Sequence, residues 1–327
     1  MAGALLVGVA HAEGLVAARL GVIYNLDDAA SHRVALYYAA QRNIPSENVI
    51  GIHVPNANVL LPEDFAMLRA QLLDRLPSAV QSLLLVWSKP YAVGCMSITS
   101  AVAAGYSSAF CPLGCTRTPP NPLFDSDGWL PTDTVGWWPA MLLPSDDESL
   151  AHRVIQAGIK ADSSTPRAIL YLVRTSDAAR NVRASSYPGV EMALANRVQV
   201  TQLSTPVSRE IPDAIGYFTG AVQVEELPRI EFRPGALADH LTSTGGVLEG
   251  GSQMPASAWL KQGATASYGS VSEPCNFLEK FPNVNVLFEH YAHGETALES
   301  YWKSVLMVGQ GLFIGEPLSR PFGARHQ

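Results

Sequence analysis

The chain is poor in charge: acidic and basic side chains make up only 16% of its 327 residues, whereas 47% are hydrophobic. It contains no run of Lys or Arg, and its net charge is -7. Because proteins that grip nucleic acid through its phosphates need clustered cations, we expect no nucleic-acid partner. This composition also leaves no room for a long disordered tail, so we expect order nearly throughout.

Long apolar runs are missing as well. The apolar stretch at the start, MAGALLVGVAHAEG, is too short to span a bilayer, so no transmembrane segment is expected in the mature chain. It ends in a small-x-small pattern, which predicts signal-peptidase cleavage before Glu13. Because the positively charged leader is absent, residues 1–12 are either a truncated signal peptide or a folded strand, and the cleavage pattern favours the signal. We therefore expect a periplasmic or secreted protein.

Cysteine is scarce, and in an oxidising compartment the first expectation is disulfides, with metal binding second. Four cysteines allow three pairings, among which the sequence cannot choose. Cys111 and Cys115 could close a small loop, and a bridge between Cys95 and Cys275 would tie together two loops on the predicted ligand side. The four cysteines are Cys95, Cys111, Cys115 and Cys275.

Strand-like and helix-like segments alternate through most of the chain. The first 90 residues read β-α-β-α-β, and the alternation resumes after residue 145. The intervening residues 111–144 are rich in Pro, Gly, Asp and Trp and predict a long loop or a junction. The pattern indicates an α/β protein with a mostly parallel sheet, helices on both faces and two abutting subdomains, residues 13–145 and 146–327.

Ligands of such sheets bind beyond the carboxyl ends of the strands, which selects the loops 25–28, 88–95, 175–177 and 219–222, the turn after His240 and the loop 267–275. We expect four loops, 88–95, 219–222, 239–246 and 267–276, to form the ligand side. Their polar and reactive side chains are the predicted binding residues. Lys89 and Glu273 could form a buried ion pair or contact substrate. The predicted binding residues are Lys89, Tyr91, Cys95, Thr242, Ser267, Tyr268 and Glu273.

The leading candidates for catalysis are His240, Asp239 and Cys275. Imidazole titrates near neutral pH and His240 follows a predicted strand, but a structural role is the alternative. If that strand is extended, Asp239 and His240 point to opposite faces, so Asp239 cannot orient the ring. Cys275 could be a nucleophile, although an exported protein more often uses a cysteine in a disulfide.

Two other chemistries are weakly supported. His290 and His293, three residues apart with acidic neighbours, could hold a metal in a hydrolase, but the H-E-x-x-H pattern is absent. Ser267 and Ser270 lack the G-x-S-x-G elbow of serine hydrolases. We therefore expect no metal and no cofactor.

Several segments carry a resemblance to known proteins. The chain resembles a bacterial family of uncharacterised exported proteins found in species with exosortase-type protein sorting, which implies an envelope setting and names no activity. The segments that carry it are YNLDD at 24–28, YYAAQRNIP at 37–45, WSKPY at 87–91, ADHLTS at 238–243, GATASYGSVSEPCN at 263–276 and WKSVLMVGQGLFIGEPL at 302–318.

The second half more distantly resembles gingipain-like cysteine peptidases, which implies a caspase-like fold. In those enzymes a His-Gly loop follows one strand and the nucleophilic Cys follows the next. Here YFTG at 217–220 is followed by Ala221 and Val222 in place of His-Gly, and no Cys follows ADHLTS. The resemblance thus implies that the peptidase chemistry is absent or rebuilt.

Two functions follow as hypotheses. One is a peptidase-related hydrolase or transpeptidase-like envelope protein that uses His240 with a thiol or hydroxyl. The other is a catalytically silent binding or accessory protein for a peptide, a glycan or a sorted envelope protein.

Overall fold

The structure is a computed structural model, and it describes residues 14–111 and 114–323. The predicted signal segment, residues 1–12, lies outside the described residues. The strands are β1 (Leu20–Asn25), β2 (Val49–Ile52), β3 (Val59–Leu60), β4 (Ser82–Val86), β5 (Ala92–Val93), β6 (Met96–Ser97), β7 (Ala140–Leu143), β8 (Ile169–Arg174), β9 (Gln199–Ser204), β10 (Ile211–Gly220), β11 (Ile230–Leu241), β12 (Ala266–Ser270) and β13 (Gly311–Gly315).

Local sequence explains where the helices begin and end. Asp28 accepts a hydrogen bond from the amide of Ala30 and starts α1, which ends at Asn43 in the left-handed conformation. Thr296 and Glu299 form a capping box that starts α9. The helices are α1 (Ala29–Arg42), α2 (Pro62–Arg75), α3 (Ile98–Ala104), α4 (Pro131–Val135), α5 (Glu148–Ala161), α6 (Tyr187–Leu194), α7 (Ser257–Gln262), α8 (Val284–Ala292) and α9 (Ala297–Ser304).

Ten strands form one sheet in the order β2-β1-β4-β7-β13-β12-β11-β10-β8-β9. The pairings from β2 to β7 and from β12 to β9 are parallel. β13 runs antiparallel to β12 and meets β7 at a single pair, Ile314 and Leu142. The strands β4, β7, β12 and β13 are buried at every residue, whereas the terminal strands β2 and β9 are partly exposed. The predicted α/β class with a mostly parallel sheet is confirmed.

Helices cover both faces of this sheet. The neighbouring residues Asp239 and His240 on β11 point to opposite faces, as expected for an extended strand. Asp239 contacts Arg183, in the short helix that leads into α6, and His240 contacts Trp259 on α7. The helices α6 and α8 pack together, as do α8 and α9, while α5 packs against α1 and α7.

The two predicted segments share this sheet. The strands β1, β2, β4 and β7 of residues 13–145 form one side of it, and the strands of residues 146–327 form the other. β7 lies inside the 111–144 region that the sequence indicated was irregular. Its four apolar residues, Ala140–Leu143, are too few to show a period, but all four are buried between β4 and β13.

Candidate functional site

Loops from both halves of the sheet meet beyond the carboxyl ends of their strands. The hydroxyl of Ser272 donates to the carbonyl of Cys95 over 2.8 Å, which joins the loop after β12 to the turn between β5 and β6. Lys89 Nζ lies 3.7 Å from a carboxylate oxygen of Glu249, which joins the loop after β4 to the one after β11. The predicted meeting of the 88–95 and 267–276 loops is therefore observed.

The cysteines form two disulfides, and neither of the two pairings considered from the sequence is present. Cys95 is bonded to Cys111 and Cys115 to Cys275, with Cα atoms 5.5 and 5.4 Å apart. Among the described residues no cysteine is free. The prediction of Cys275 as a nucleophile is wrong for this structure, because its sulfur is bonded and cannot form a thiolate. Cys111 is thus bonded to one of the two loops and Cys115 to the other.

The charged and phenolic side chains of these loops also have different partners from those expected. Glu273 does not pair with Lys89: its carboxylate accepts a hydrogen bond from the amide of Cys275 over 2.7 Å. The hydroxyl of Tyr91 lies 3.5 Å from the carbonyl oxygen of Glu249, and burial raises the pKa of this tyrosine. Lys89 and Glu249 keep 39% and 50% of their side chains accessible, and Glu273 is exposed as well.

His240 is a structural histidine. It is 1% exposed, its Nδ1 accepts from the indole N–H of Trp259 over 3.0 Å, and its Nε2 lies 2.9 Å from the carbonyl of Met254. Both ring nitrogens are therefore used, and this pattern requires the neutral ring with its proton on Nε2. Burial, together with the nearby charge of Arg183, lowers the pKa of His240 to about 4. A ring held in this way cannot serve as the acid or base proposed from the sequence.

The lowered pKa of His240 predicts that the protein loses stability in acid. In the unfolded chain the ring takes up a proton near pH 6.5, and in the folded protein only near pH 4. Above pH 6.5 the ring is neutral in both states and does not lower the free energy of unfolding. As the pH falls below 6.5 the free energy of unfolding decreases, by about 3 kcal/mol at pH 4. Urea unfolding at pH 7 and pH 4 tests this by comparing the native protein with His240→Gln. The variant should lose about 3 kcal/mol less than the native protein over this range, and equal losses would contradict the assignment.

Asp239 belongs to a buried ion pair on the other face of β11. Its carboxylate binds Nη2 of Arg183, which also donates to the carbonyl of Thr219 over 2.8 Å. The side chain of Asp239 is 1% exposed and that of Arg183 is 5% exposed. Burial raises the pKa of Asp239, although the charge of Arg183 opposes the rise. This pair braces β10 against β11 and exposes no reactive group, so the predicted catalytic role of Asp239 is not supported by its position.

The predicted binding residues of β11 and β12 are interior. Ser267 is fully buried, and Tyr268 is buried with its hydroxyl bonded to the carbonyl of Lys280. Thr242, also buried, accepts from Nε of Arg180 over 3.1 Å and donates to Gln253 over 2.8 Å. Thr242 directly follows β11, as expected, whereas Ser267 and Tyr268 lie within β12 and not in the loop after it.

The acidic and imidazole groups near the C-terminus form a hydrogen-bonded network. His290 binds Glu295 through Nδ1 at 2.9 Å and Asp125 through Nε2 at 3.1 Å, and Lys303 binds Glu295. Burial opposes protonation of His290, yet these carboxylates raise its pKa above the ordinary value. In the described part of the chain, no group of three or more His, Cys, Asp or Glu side chains could hold a metal ion.

An open cavity lies beyond the carboxyl ends of β8, β9 and β10. Its volume is about 560 Å³, and its lining combines polar and apolar residues with no aromatic side chain. Three acidic side chains and one basic side chain give it an excess of two negative charges. The lining residues are Thr175, Ser176, Asp177, Thr205, Pro206, Val207, Ala221, Val222, Gln223, Glu225, Glu226 and Arg229.

Two of the three acidic groups of this cavity, Asp177 and Glu226, are held by hydrogen bonds. Glu226 is only 6% exposed and accepts a hydrogen bond from the hydroxyl of Tyr217. Burial and this carboxylate raise the pKa of Tyr217. Asp177 accepts from Nη1 of Arg180 over 2.9 Å, and Glu225 is exposed. Carboxylates fixed before a ligand arrives lose little side-chain freedom on binding, which favours recognition of a cation.

A second cavity of about 380 Å³ lies beyond β1, β2, β4 and β7. It is also acidic, with Lys89 as the one basic group in its lining, and Glu249 and Asp146 border it. Two of its polar groups already bind each other, because the hydroxyl of Ser88 donates to Asp146. The remaining charges are largely solvent-exposed.

Sequence reasoning included residues 219–222 among the ligand loops but did not single out Glu225, Glu226 or Arg229. The signal available was position, because these residues directly follow a strand of a parallel sheet. Compared with known proteins, the chain matches no family model, no curated protein and no solved structure. Functional inference therefore rests on the geometry of the site.

Two findings bear on the compartment of the protein and on whether its helices could span a membrane. The structure contains two disulfides, which are typical of proteins in oxidising compartments. Across residues 14–111 and 114–323, none of the helices has the length and apolar character needed to cross a bilayer.

Proposed function

We propose that this protein is an exported, catalytically silent binding protein that recognises a cationic group of its ligand in the 560 Å³ cavity. The observation that carries the proposal is the negative lining of that cavity, formed by Asp177, Glu225 and Glu226, of which Asp177 and Glu226 are held by hydrogen bonds. The two disulfides support export, because such bonds persist in the periplasm and outside the cell.

The groups first considered for catalysis favour a binding role over hydrolysis. Nucleophilic catalysis needs a thiol or hydroxyl within hydrogen-bond reach of a base. Cys275 is bonded to Cys115, and both nitrogens of His240 are used inside the protein. The positions of a gingipain-like dyad are occupied by Ala221 and Val222 and by Thr242 and Ser243, which supports a silent relative of that class.

A peptide fits the cavity better than a glycan. Protein sites for sugars commonly stack the ring on an aromatic side chain, and the lining of this cavity has none. Lysine and arginine side chains carry the charge that would offset the excess of two negative charges. Peptide recognition through a basic side chain is therefore the class of ligand that we propose.

The test compares peptides that differ by one charge. A library of eight-residue peptides carries either arginine or its neutral isostere citrulline at one position, and binding is measured by fluorescence anisotropy. We expect arginine peptides to bind more tightly and the double variant Glu225→Gln/Glu226→Gln to lose about tenfold in affinity for them. Mass spectrometry of the peptides after incubation should show no cleavage.

Glu63→Gln is the matched control, because it removes an exposed carboxylate from α2 by the same chemical change. It should leave affinity unchanged. Equal binding of arginine and citrulline peptides would refute the cation site, and cleavage of a peptide would refute the silent role.

A further inference from the structure

The two edge strands of the sheet differ in whether their outward backbone groups have hydrogen-bond partners. At β2 the amide of Leu26 donates to the carbonyl of Ile52, so the backbone groups of Ile52 point towards β1. The backbone groups of its neighbours Gly51 and His53 therefore point outward. Both outward residues have partners on α2. Arg75 donates to the carbonyl of Gly51 over 2.5 Å, and Gln71 accepts from the amide of His53 over 3.4 Å.

The other terminal strand, β9, has no such cover. The amide of Thr205 donates to the carbonyl of Arg174 on β8, so the backbone groups of Val200, Gln202 and Ser204 face outward. Within the described residues, these outward amides and carbonyls make no hydrogen bond, and β9 pairs with β8 alone. The outer edge of β9 can therefore accept a further strand.

The sequence of β9 lacks the residues that commonly prevent further pairing at an exposed edge. Natural proteins commonly protect an exposed edge with lysine, proline, a bulge or a charged residue that points inward. The six residues QVTQLS contain no charge and no proline, and their pairing with β8 is regular from Gln199 to Ser204. An open and regular edge of six residues is about 20 Å long, enough to pair with a short extended peptide.

This edge leads directly into the cavity. Thr205, Pro206 and Val207 follow β9 without interruption, and all three line the cavity. A strand that pairs with β9 and continues past Ser204 would reach the side of the cavity formed by Thr205, Pro206 and Val207, from which a long basic side chain could extend towards the acidic groups. Backbone pairing and charge recognition would thus act on one continuous segment.

We infer that the ligand is an extended peptide segment of another protein, which adds to the edge of β9 as a further strand and places a basic side chain in the cavity. This inference rests on the proposed function and specifies its ligand. Backbone pairing would supply affinity with little dependence on sequence, and the cavity would select the basic residue.

One experiment removes a single outward donor from the protein. Gln202→Pro deletes an amide hydrogen that faces away from β8, a position at which an edge strand tolerates proline. Gln202→Ala is the matched control, because it removes the same side-chain contacts with Arg174 and Glu191 but keeps the amide. For the tightest arginine peptide of the library, we expect about tenfold weaker binding to the proline variant and no change with alanine.

A second measurement uses the native protein and therefore does not depend on how the proline variant folds. The arginine peptide is N-methylated at each position in turn. Strand pairing predicts that methylation weakens binding at alternate positions along the segment beside β9 and has little effect at those between. Uniform sensitivity or none would overturn the strand inference, while preference for arginine over citrulline would still uphold the cavity. Sedimentation of the free protein supplies a further outcome: a dimer that Gln202→Pro abolishes would overturn the peptide as occupant, because a second copy would then cover β9.

Discussion

Replacing Cys115 and Cys275 together by serine should lower the free energy of unfolding by about 5 kcal/mol. Their disulfide joins residues 160 apart in sequence, so its loss releases a long loop in the unfolded chain. The bond between Cys95 and Cys111 spans 16 residues, and its removal should cost about 3 kcal/mol. Urea unfolding of the two double variants measures both losses.

Both cysteines of a disulfide are replaced together, because replacing one cysteine alone would leave an unpaired thiol that could exchange with the remaining disulfide. A larger loss for the Cys95 and Cys111 variant would contradict the loop-length argument. In the unreduced native protein, iodoacetamide should modify no cysteine among the four, and rapid modification of Cys275 would contradict the observed pairing and restore the nucleophile hypothesis.

Removing one partner of the buried pair between Arg183 and Asp239 should destabilise the protein by about 3–5 kcal/mol, because the other charge stays buried without compensation. We expect this loss for Asp239→Leu and for Arg183→Met alone. The double variant should lose much less than the sum of the two, since it leaves no unpaired charge. Urea unfolding of the three variants gives the coupling free energy.

An exposed ion pair is the control for this comparison of single and double variants. Arg33 and Glu148 bind each other on the surface, where solvent screens the attraction, and Glu148→Ala should cause no measurable loss. Additive losses for Arg183 and Asp239 would mean that the two residues stabilise the protein independently. That outcome would contradict the role of the pair in bracing β10 against β11.

Much of the architecture was predictable because it follows from periodicity. The β-α-β-α-β order expected for the first 90 residues is observed in β1, α1, β2, α2 and β4, with the two-residue strand β3 in addition. The extended pattern also placed Asp239 and His240 on opposite faces, as observed. The strand Ala140–Leu143 was missed, because four apolar residues show no period in isolation.

The chemical state of the candidate residues could not be predicted in the same way. His240 was identified as a group at a strand end, yet its partners Trp259 and Met254 come from a helix and a loop that fold over it. The pairing of Cys275 depends on where Cys115 lies in space, and spacing along the chain does not report that.

The sequence by itself determined the alternation of strands and helices, the α/β class and the edge at which ligand loops collect, because backbone pairing and hydrophobic period are local properties. Only the tertiary structure decided which of those loops stay open. Packing buried Thr242, Ser267 and Tyr268 and left the acidic cavity beside β9 exposed. The physical reason is that burial and partner choice depend on contacts between residues far apart in sequence, whereas the period of a strand depends on its neighbours alone.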